Sequence, residues 1–161
     1  MIVKSVDIRP MTSADIPPIV QWLVELPLMR RYGLTAERAV GQFEKALVHK
    51  DLLLAADVGE HDAACGFAWC LPQGAFGRSV YLRLIGVHQT QTGAGIGSAL
   101  LEAVEESSAA LSDDLVLLVS DFNHDAQRFY QRHGYQQIGS IPGYVLPDVN
   151  EFIYWKRLRR R

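Results

Sequence analysis

Leu84-Ile85-Gly86-Val87-His88-Gln89-Thr90-Gln91-Thr92-Gly93-Ala94-Gly95-Ile96-Gly97-Ser98-Ala99-Leu100-Leu101 is the stretch that decides the fold. It reads as the end of an apolar strand, a glycine-rich turn, and a helix with Leu100, Leu101, Val104 and Leu111 on its apolar face. Glycines at 93, 95 and 97 let the backbone come close to a ligand and take conformations barred to other residues. They sit where a helix begins, so unpaired N–H groups and the positive end of the helix dipole converge there. That combination suits a phosphate or pyrophosphate. A tight turn with no ligand fits the same glycines.

Two familiar phosphate loops do not match. A Walker loop needs Gly-Lys-Ser/Thr, and no lysine lies between Lys50 and Lys156. The dinucleotide fingerprint is Gly-x-Gly-x-x-Gly after the first strand of its fold. Here the spacing is Gly-x-Gly-x-Gly, in the middle of the chain.

Working outward, Val6–Met11 reads as a first strand, followed by a helix start at Thr12 and Ser13 with Asp15 in its first turn. Ile16, Ile19, Val20 and Leu23 form its apolar stripe, and a second helix opens at Thr35 with Ala39, Phe43 and Leu47. Leu52–Val58 and Ala63–Leu71 are strand-like runs around a hairpin signal at Gly59-Glu60-His61-Asp62. Pro72–Arg78 reads as a turn, Ser79–His88 as the fourth strand and Leu115–Ser120 as a fifth with both faces covered. A short helix from Asn123 to His133 ends at Gly134, and strands follow near Tyr135–Ser140 and Glu151–Leu158. The order β-α-α-β-β-β-α-β-α-β-β predicts an α/β (α+β) fold with a mixed, mostly antiparallel central sheet and helices on both faces.

A chain of 161 residues, 48% hydrophobic and 21% charged, suits one domain spanning 1–161 with its own core. Its net charge of -2 hides an asymmetry, because five of the 16 bases fall in the last six residues. Residues 1–155 carry 11 bases against 18 acids, a balance of -7, which disfavours nucleic acid as a partner. The basic end can meet an acidic partner or lipid, but reads better as a solvated end of the last strand. Apolar runs such as Leu52–Ala56 and Leu115–Val119 are too short for a membrane helix. Asp7 and Arg9 stand where a secretory leader needs its apolar stretch, so a cytoplasmic setting is expected. Cys65 and Cys70 are five apart, which on one strand puts them on opposite faces, unable to pair or share a metal. No metal site is expected.

Val87 and Thr92-Gly93-Ala94-Gly95-Ile96-Gly97 together resemble the GNAT superfamily of N-acetyltransferases, whose central helix opens with Gln/Arg-x-x-Gly-x-Gly/Ala after a strand ending in Val. The Gln/Arg position falls on Thr92, with Gln91 one place early. A second match follows: Asn123-His124-Asp125-Ala126-Gln127-Arg128-Phe129-Tyr130-Gln131-Arg132-His133-Gly134-Tyr135 is similar to the family's Asn-x-x-Ala-x-x-Phe-Tyr-x-x-x-Gly-Phe/Tyr segment. Each motif is loose alone, but their order and the intervening helix and strand make the pair specific.

The resemblance implies acetyl-CoA as co-substrate, held between splayed fourth and fifth strands. Backbone groups of Ile85, Gly86 and Val87 would pair with the pantetheine arm. Thr92, Gly93, Ala94, Gly95, Ile96, Gly97 and Ser98 would hold the pyrophosphate, mainly by N–H groups. The Val87 N–H would face the thioester oxygen, which becomes negative on attack; such a donor is worth about 3–4 kcal/mol. Tyr130 holds the position that serves the leaving thiolate, against the reading of a core aromatic beside Phe129. Asn123 would touch the cofactor, although a helix cap alone accounts for it.

No general base is assigned. The family's fifth-strand carboxylate position falls on Leu118, and the fourth strand offers Tyr81 and Arg83. Asp121 and Glu25 read better as solvated carboxylates, and His88 as exposed or structural. The acceptor, a small-molecule or protein amine, is expected near Trp22–Tyr32 and Pro142–Asn150, where Trp22 and Tyr32, Glu25 and Asp148, or Arg30 and Arg31 favour different chemistries. Phe152, Tyr154 and Trp155 belong either to a homodimer interface or to the core. The rival reading is a non-catalytic acyl-CoA-binding or sensory module.

Overall fold

The computed structural model of the chain describes residues 5–60 and 63–159. The strands are β1 (Val6–Pro10), β2 (Leu52–Val58), β3 (Gly66–Ala75), β4 (Ser79–Val87), β5 (Asp114–Ser120), β6 (Gln136–Ile141) and β7 (Glu151–Arg157). The helices are α1 (Ile16–Leu23), α2 (Pro27–Arg31), α3 (Ala36–Val48), α4 (Ile96–Ala109) and α5 (His124–Arg132). The strands form one sheet in the order β1-β2-β3-β4-β5-β7-β6. β4 and β5 are parallel, and the β1/β2, β2/β3, β5/β7 and β6/β7 pairs are antiparallel. The expected mixed, mostly antiparallel sheet is therefore present. Its helices differ from the sequence reading by one short addition, α2, which Pro27 opens after the extended Leu26. No helix among the described residues is long and apolar enough to cross a membrane.

By its internal contacts the chain forms two compact units, Met1–Cys70 with Leu84–Val104, and Leu71–Arg83 with Glu105–Arg161. In the first unit, Thr12 and Asp15 form a reciprocal capping box before α1, and the Thr35 side chain caps α3 by accepting the Arg38 N–H. Ile19, Leu23, Phe43 and Phe67 are almost wholly buried, with the Phe43 and Phe67 rings edge to face at 5.3 Å. Arg9 on β1 bridges two carboxylates. Its guanidinium donates to both Asp15 oxygens at 2.7 and 2.9 Å, and its Nε donates to Asp57 at 2.6 Å. Arg9 is the main reason that the Asp15 carboxyl titrates below the usual range.

The two cysteines are free and buried. Cys65 precedes β3 rather than sharing it, and its thiol donates to the Ala56 carbonyl. Burial pushes the Cys70 thiol up to about 12, consistent with a small core residue rather than a reactive one. The His61 and Asp62 half of the expected β2–β3 turn lies outside the described residues, as do Met1–Lys4, Arg160 and Arg161.

In the second unit, Val80, Leu115, Leu117 and Tyr154 fill the interior. The expected turn over Pro72–Arg78 is shorter than read: β3 runs on to Ala75 and β4 starts at Ser79, with Phe76 and Gly77 at the centre of the turn. Both have positive φ, +57° and +65°, and the Arg78 N–H donates to Ala75 at 3.1 Å. A two-residue turn of this hand matches the strand twist and lets pairing continue up to it. Leu111 also departs from expectation. α4 ends at Ala109, so Leu111 falls beyond the helix and is exposed, while Leu100, Leu101 and Val104 form the buried stripe.

Tyr154 belongs to the core, whereas Phe152 and Trp155 are half-buried. Among the described residues, two of the basic end's side chains have acidic partners. Lys156 pairs with Glu105, and Arg157 lies 3.5 Å from Asp114.

Candidate functional site

The end of β4 is shaped by two glycines. A Cβ on Gly86 would stand 2.8 Å from the Phe67 ring of β3, which would have to shift, and 3.4 Å from Trp22 of α1, an ordinary contact. A Cβ on Gly66 would meet Ile96 and Leu100 of α4 at 3.1 Å and the Gly86 carbonyl at 3.3 Å. Sequence reading gave Gly66 no part, because its neighbours come from distant segments. The indole of Trp22 donates to the Ala64 carbonyl and packs edge-on against the His88 ring at 5.8 Å.

From Val87 the chain is anchored by the His88 N–H, which donates to Cys65 at 2.7 Å. Gln89–Gln91 then form a single 3-10 turn, with His88 Nδ1 accepting the Thr90 N–H at 3.1 Å. Thr92 Oγ1 donates back to the Gln89 carbonyl at 3.0 Å. The residue at the family's Gln/Arg position thus directs its hydroxyl to the turn itself.

Gly93 and Gly95 both have φ of +79°, and a Cβ on either would meet nothing within 4 Å. Their need for glycine is conformational, and the side on which they open is free for a ligand. Thr92–Gly95 are exposed, while Ile96 is buried and anchors α4. The Ala99 N–H donates to Gly95 and closes the first helical turn. Helix geometry leaves the N–H groups of Ile96, Gly97 and Ser98 without intrahelical acceptors. Such a donor set at a helix start suits a phosphate or pyrophosphate.

Ile85, Gly86, Val87 and Thr92–Ser98 therefore lie together in the first unit, whereas Asn123 and Tyr130 belong to the second. Asn123 is the N-cap of α5, its side chain accepting the Ala126 N–H at 3.2 Å. Tyr130 is 7% exposed, with its ring edge-on to Phe129 at 5.1 Å and Tyr135 at 5.6 Å. The core-aromatic description is correct for its ring; a role for its hydroxyl is a separate matter.

Two carboxylates considered as bases have other partners. Glu25 pairs with Arg30, both well exposed. Asp121 accepts the Asn150 N–H at 3.0 Å and donates its own N–H to the Asn150 carbonyl. Leu118 pairs in register with Ile153 and is half-buried. Glu151, which nothing in the local sequence singles out, is only 5% exposed at the start of β7, opposite Ser120. Burial raises the Tyr81 phenol, and Glu151 adds to that shift, so Tyr81 stays protonated at neutral pH. In the first unit, an open groove of about 380 Å³ is lined by Pro18, Gln21, Trp22, Glu25, His88 and Gln89. Among the described residues no group of His, Cys, Asp and Glu is placed to hold a metal.

A strand end, an open glycine turn and a helix start thus follow one another in the first unit of this α/β domain. Residues 49–137, more than half of the chain, match the family model of the acetyltransferase (GNAT) domain. The chain belongs to the GNAT acetyltransferase family. Its fold is similar to that of yncA from Salmonella typhimurium, solved with its cofactor acetyl-CoA, at 15% identity and a TM-score of 0.77, covering 97% of this chain and 95% of that one. It is also similar to Arabidopsis thaliana NAA60 in complex with a bisubstrate analogue, at 17% identity and a TM-score of 0.75, covering 95% and 98%. An aminoglycoside 6'-N-acetyltransferase complexed with coenzyme A matches at 18% identity and a TM-score of 0.76, covering 96% and 98%. None of the curated proteins matches the sequence.

Proposed function

We propose that this protein, acting as a single cytoplasmic domain over residues 1–161, transfers the acetyl group of acetyl-CoA to a primary amine by direct attack in a ternary complex. The observation that carries this reading is the open turn at Gly93 and Gly95, leading into α4 within the matched family segment. The amides of Thr92–Ser98 hold the pyrophosphate, and Ile85, Gly86 and Val87 pair with the pantetheine arm. The Val87 N–H stabilises negative charge on the thioester oxygen as the amine attacks. Tyr130 gives a hydrogen bond or proton to the departing thiolate, and Asn123 supports the cofactor while capping α5.

The acceptor is a small-molecule or protein amine. The groove beside Trp22 and Glu25 supports an amine that brings an apolar portion, and the surplus of acids in residues 1–155 favours a cationic one. Phe152 and Trp155, half-buried on β7, are the residues we assign to a homodimer contact. A panel of amines incubated with acetyl-CoA and monitored for free thiol tests the proposal. Turnover with at least one cationic amine is expected. Thermal stabilisation by acetyl-CoA with no turnover across the panel would favour the second reading, an acyl-CoA-binding or sensory module. That reading draws on Leu118 at the fifth-strand carboxylate position and on the partners already engaged by Glu25 and Asp121.

A further inference from the structure

His88 lies between the end of β4 and the glycine turn, and its side chain does a specific job there. The Thr90 N–H donates to His88 Nδ1 at 3.1 Å, and Thr90 Oγ1 lies 2.8 Å from the same nitrogen. An N–H can donate only to a ring nitrogen that carries a lone pair, so this geometry requires an imidazole with Nδ1 unprotonated. The ring is held in place by Trp22, and the backbone by the Cys65 carbonyl. The turn so capped continues through the Thr92 hydroxyl bond into Gly93 and Gly95.

We infer that His88 is a positioning residue whose neutral imidazole fixes the Gln89–Gln91 turn and thereby sets the phosphate cradle, so that acidification loosens the cradle. This rests on the reading of Thr92–Ser98 as the acetyl-CoA pyrophosphate site. An imidazolium carries hydrogen on both nitrogens. Its Nδ1–H would turn to the Thr90 hydroxyl, and the Thr90 N–H would lose its acceptor. Around the ring, α1 presents uncharged Pro18, Gln21 and Trp22, and Glu25, just beyond its end, pairs with Arg30. The segment before β3 presents Ala63, Ala64 and Cys65, whose thiol burial pushes up and keeps protonated. Gln89, Thr90 and Gln91 of the turn itself are uncharged.

The test compares wild type with His88→Asn and His88→Ala. Asparagine offers a side-chain oxygen to the N–H two residues on, and that acceptor does not titrate. Coenzyme A binding is measured by calorimetry at about pH 8 and about pH 5.5. His88→Asn should bind like wild type at the higher pH, and His88→Ala about fivefold more weakly, the worth of one hydrogen bond. On acidification wild type should lose about fivefold more affinity than His88→Asn. The phosphates of coenzyme A titrate equally in both and cancel. Equal losses in wild type and His88→Asn, or wild-type affinity in His88→Ala, would overturn the inference. Hydrogen exchange at the Thr90 amide in the ligand-free protein reads the cap without coenzyme A. Corrected for intrinsic rates, protection should fall in acid in wild type and persist in His88→Asn, and protection insensitive to pH in wild type would also refute it. If wild type fails to bind coenzyme A at about pH 8, the proposed function falls, while exchange still decides whether His88 is a titratable cap.

Discussion

Lys156 Nζ lies 2.9 and 3.0 Å from the two carboxylate oxygens of Glu105, and the Tyr135 hydroxyl donates to one of those oxygens at 3.0 Å. The ammonium is also 5.4 Å from the Tyr135 ring centroid. A base that sequence places in a cationic end is thus part of a partly buried network joining α4, the start of β6 and β7. Lys156→Met should lower stability by about 1–2 kcal/mol, because Glu105 keeps a neutral donor but loses its cation. A urea titration alongside Glu105→Gln and the double variant checks it, with non-additive losses expected.

Phe76 occupies a left-handed turn position at φ +57° while 83% exposed, so it suffers the steric cost without compensating burial. Phe76→Asn should stabilise the protein by about 1 kcal/mol, asparagine before glycine being the favoured pair for this turn. A rise in Tm is the expected result.

Glycine matters at 95 and at 86 for different reasons. At Gly95 the space is open but φ is +79°, so Gly95→Ala should cost about 1–2 kcal/mol of local strain and weaken acetyl-CoA binding about tenfold. Gly86→Ala instead drives a methyl to 2.8 Å from Phe67 and should lower Tm through the packing of β4. Calorimetry and thermal melts on the pair separate the two effects.

Tyr130→Phe keeps the ring packed against Phe129 and Tyr135 and removes only the hydroxyl. Turnover should fall by about 100-fold, with acetyl-CoA affinity changed by less than about threefold. Unchanged turnover would remove the assigned role.

Asp15 makes stability sensitive to acid. Its folded carboxyl, held low chiefly by Arg9, binds its proton at lower pH than the unfolded one. The contribution is therefore fully present above the ordinary aspartate range, about pH 4, and is lost as pH falls through the lower folded value. Asp15→Asn should cost about 2 kcal/mol at neutral pH and flatten the acid limb of a stability profile measured by urea melts.

Much of the fold was legible because its signals are local. Val6–Met11, Leu52–Val58 and the helix start at Thr35 lie within a residue of the observed elements, since alternation and capping act over neighbouring residues. Thr12 caps a 3-10 turn, Ser13–Asp15, that leads into α1 at Ile16. The turn at Gly93 and Gly95 was legible for the same reason. Leu111 was misplaced because periodicity does not say where a helix stops. A turn was legible in Pro72–Arg78, but its centre at Phe76 was not, because phenylalanine is an unusual residue for that backbone conformation.

By itself, the sequence determined the element order, the glycine turn before α4, the capping of α5 by Asn123, and membership of a family that two ordered motifs already signalled. These follow from residue type and short spacing. Only the tertiary structure decided that Gly66 admits α4 and Gly86 the Phe67 ring, that Lys156 serves Glu105, that Glu151 is buried, and that the His88 ring is wedged against Trp22 while capping the turn. Gly66 meets Ile96, Trp22 meets His88, and Glu105 meets Lys156 across long stretches of chain. Whether a side chain is free, paired or buried depends on which distant atoms displace its water, and that is settled only when the chain has folded.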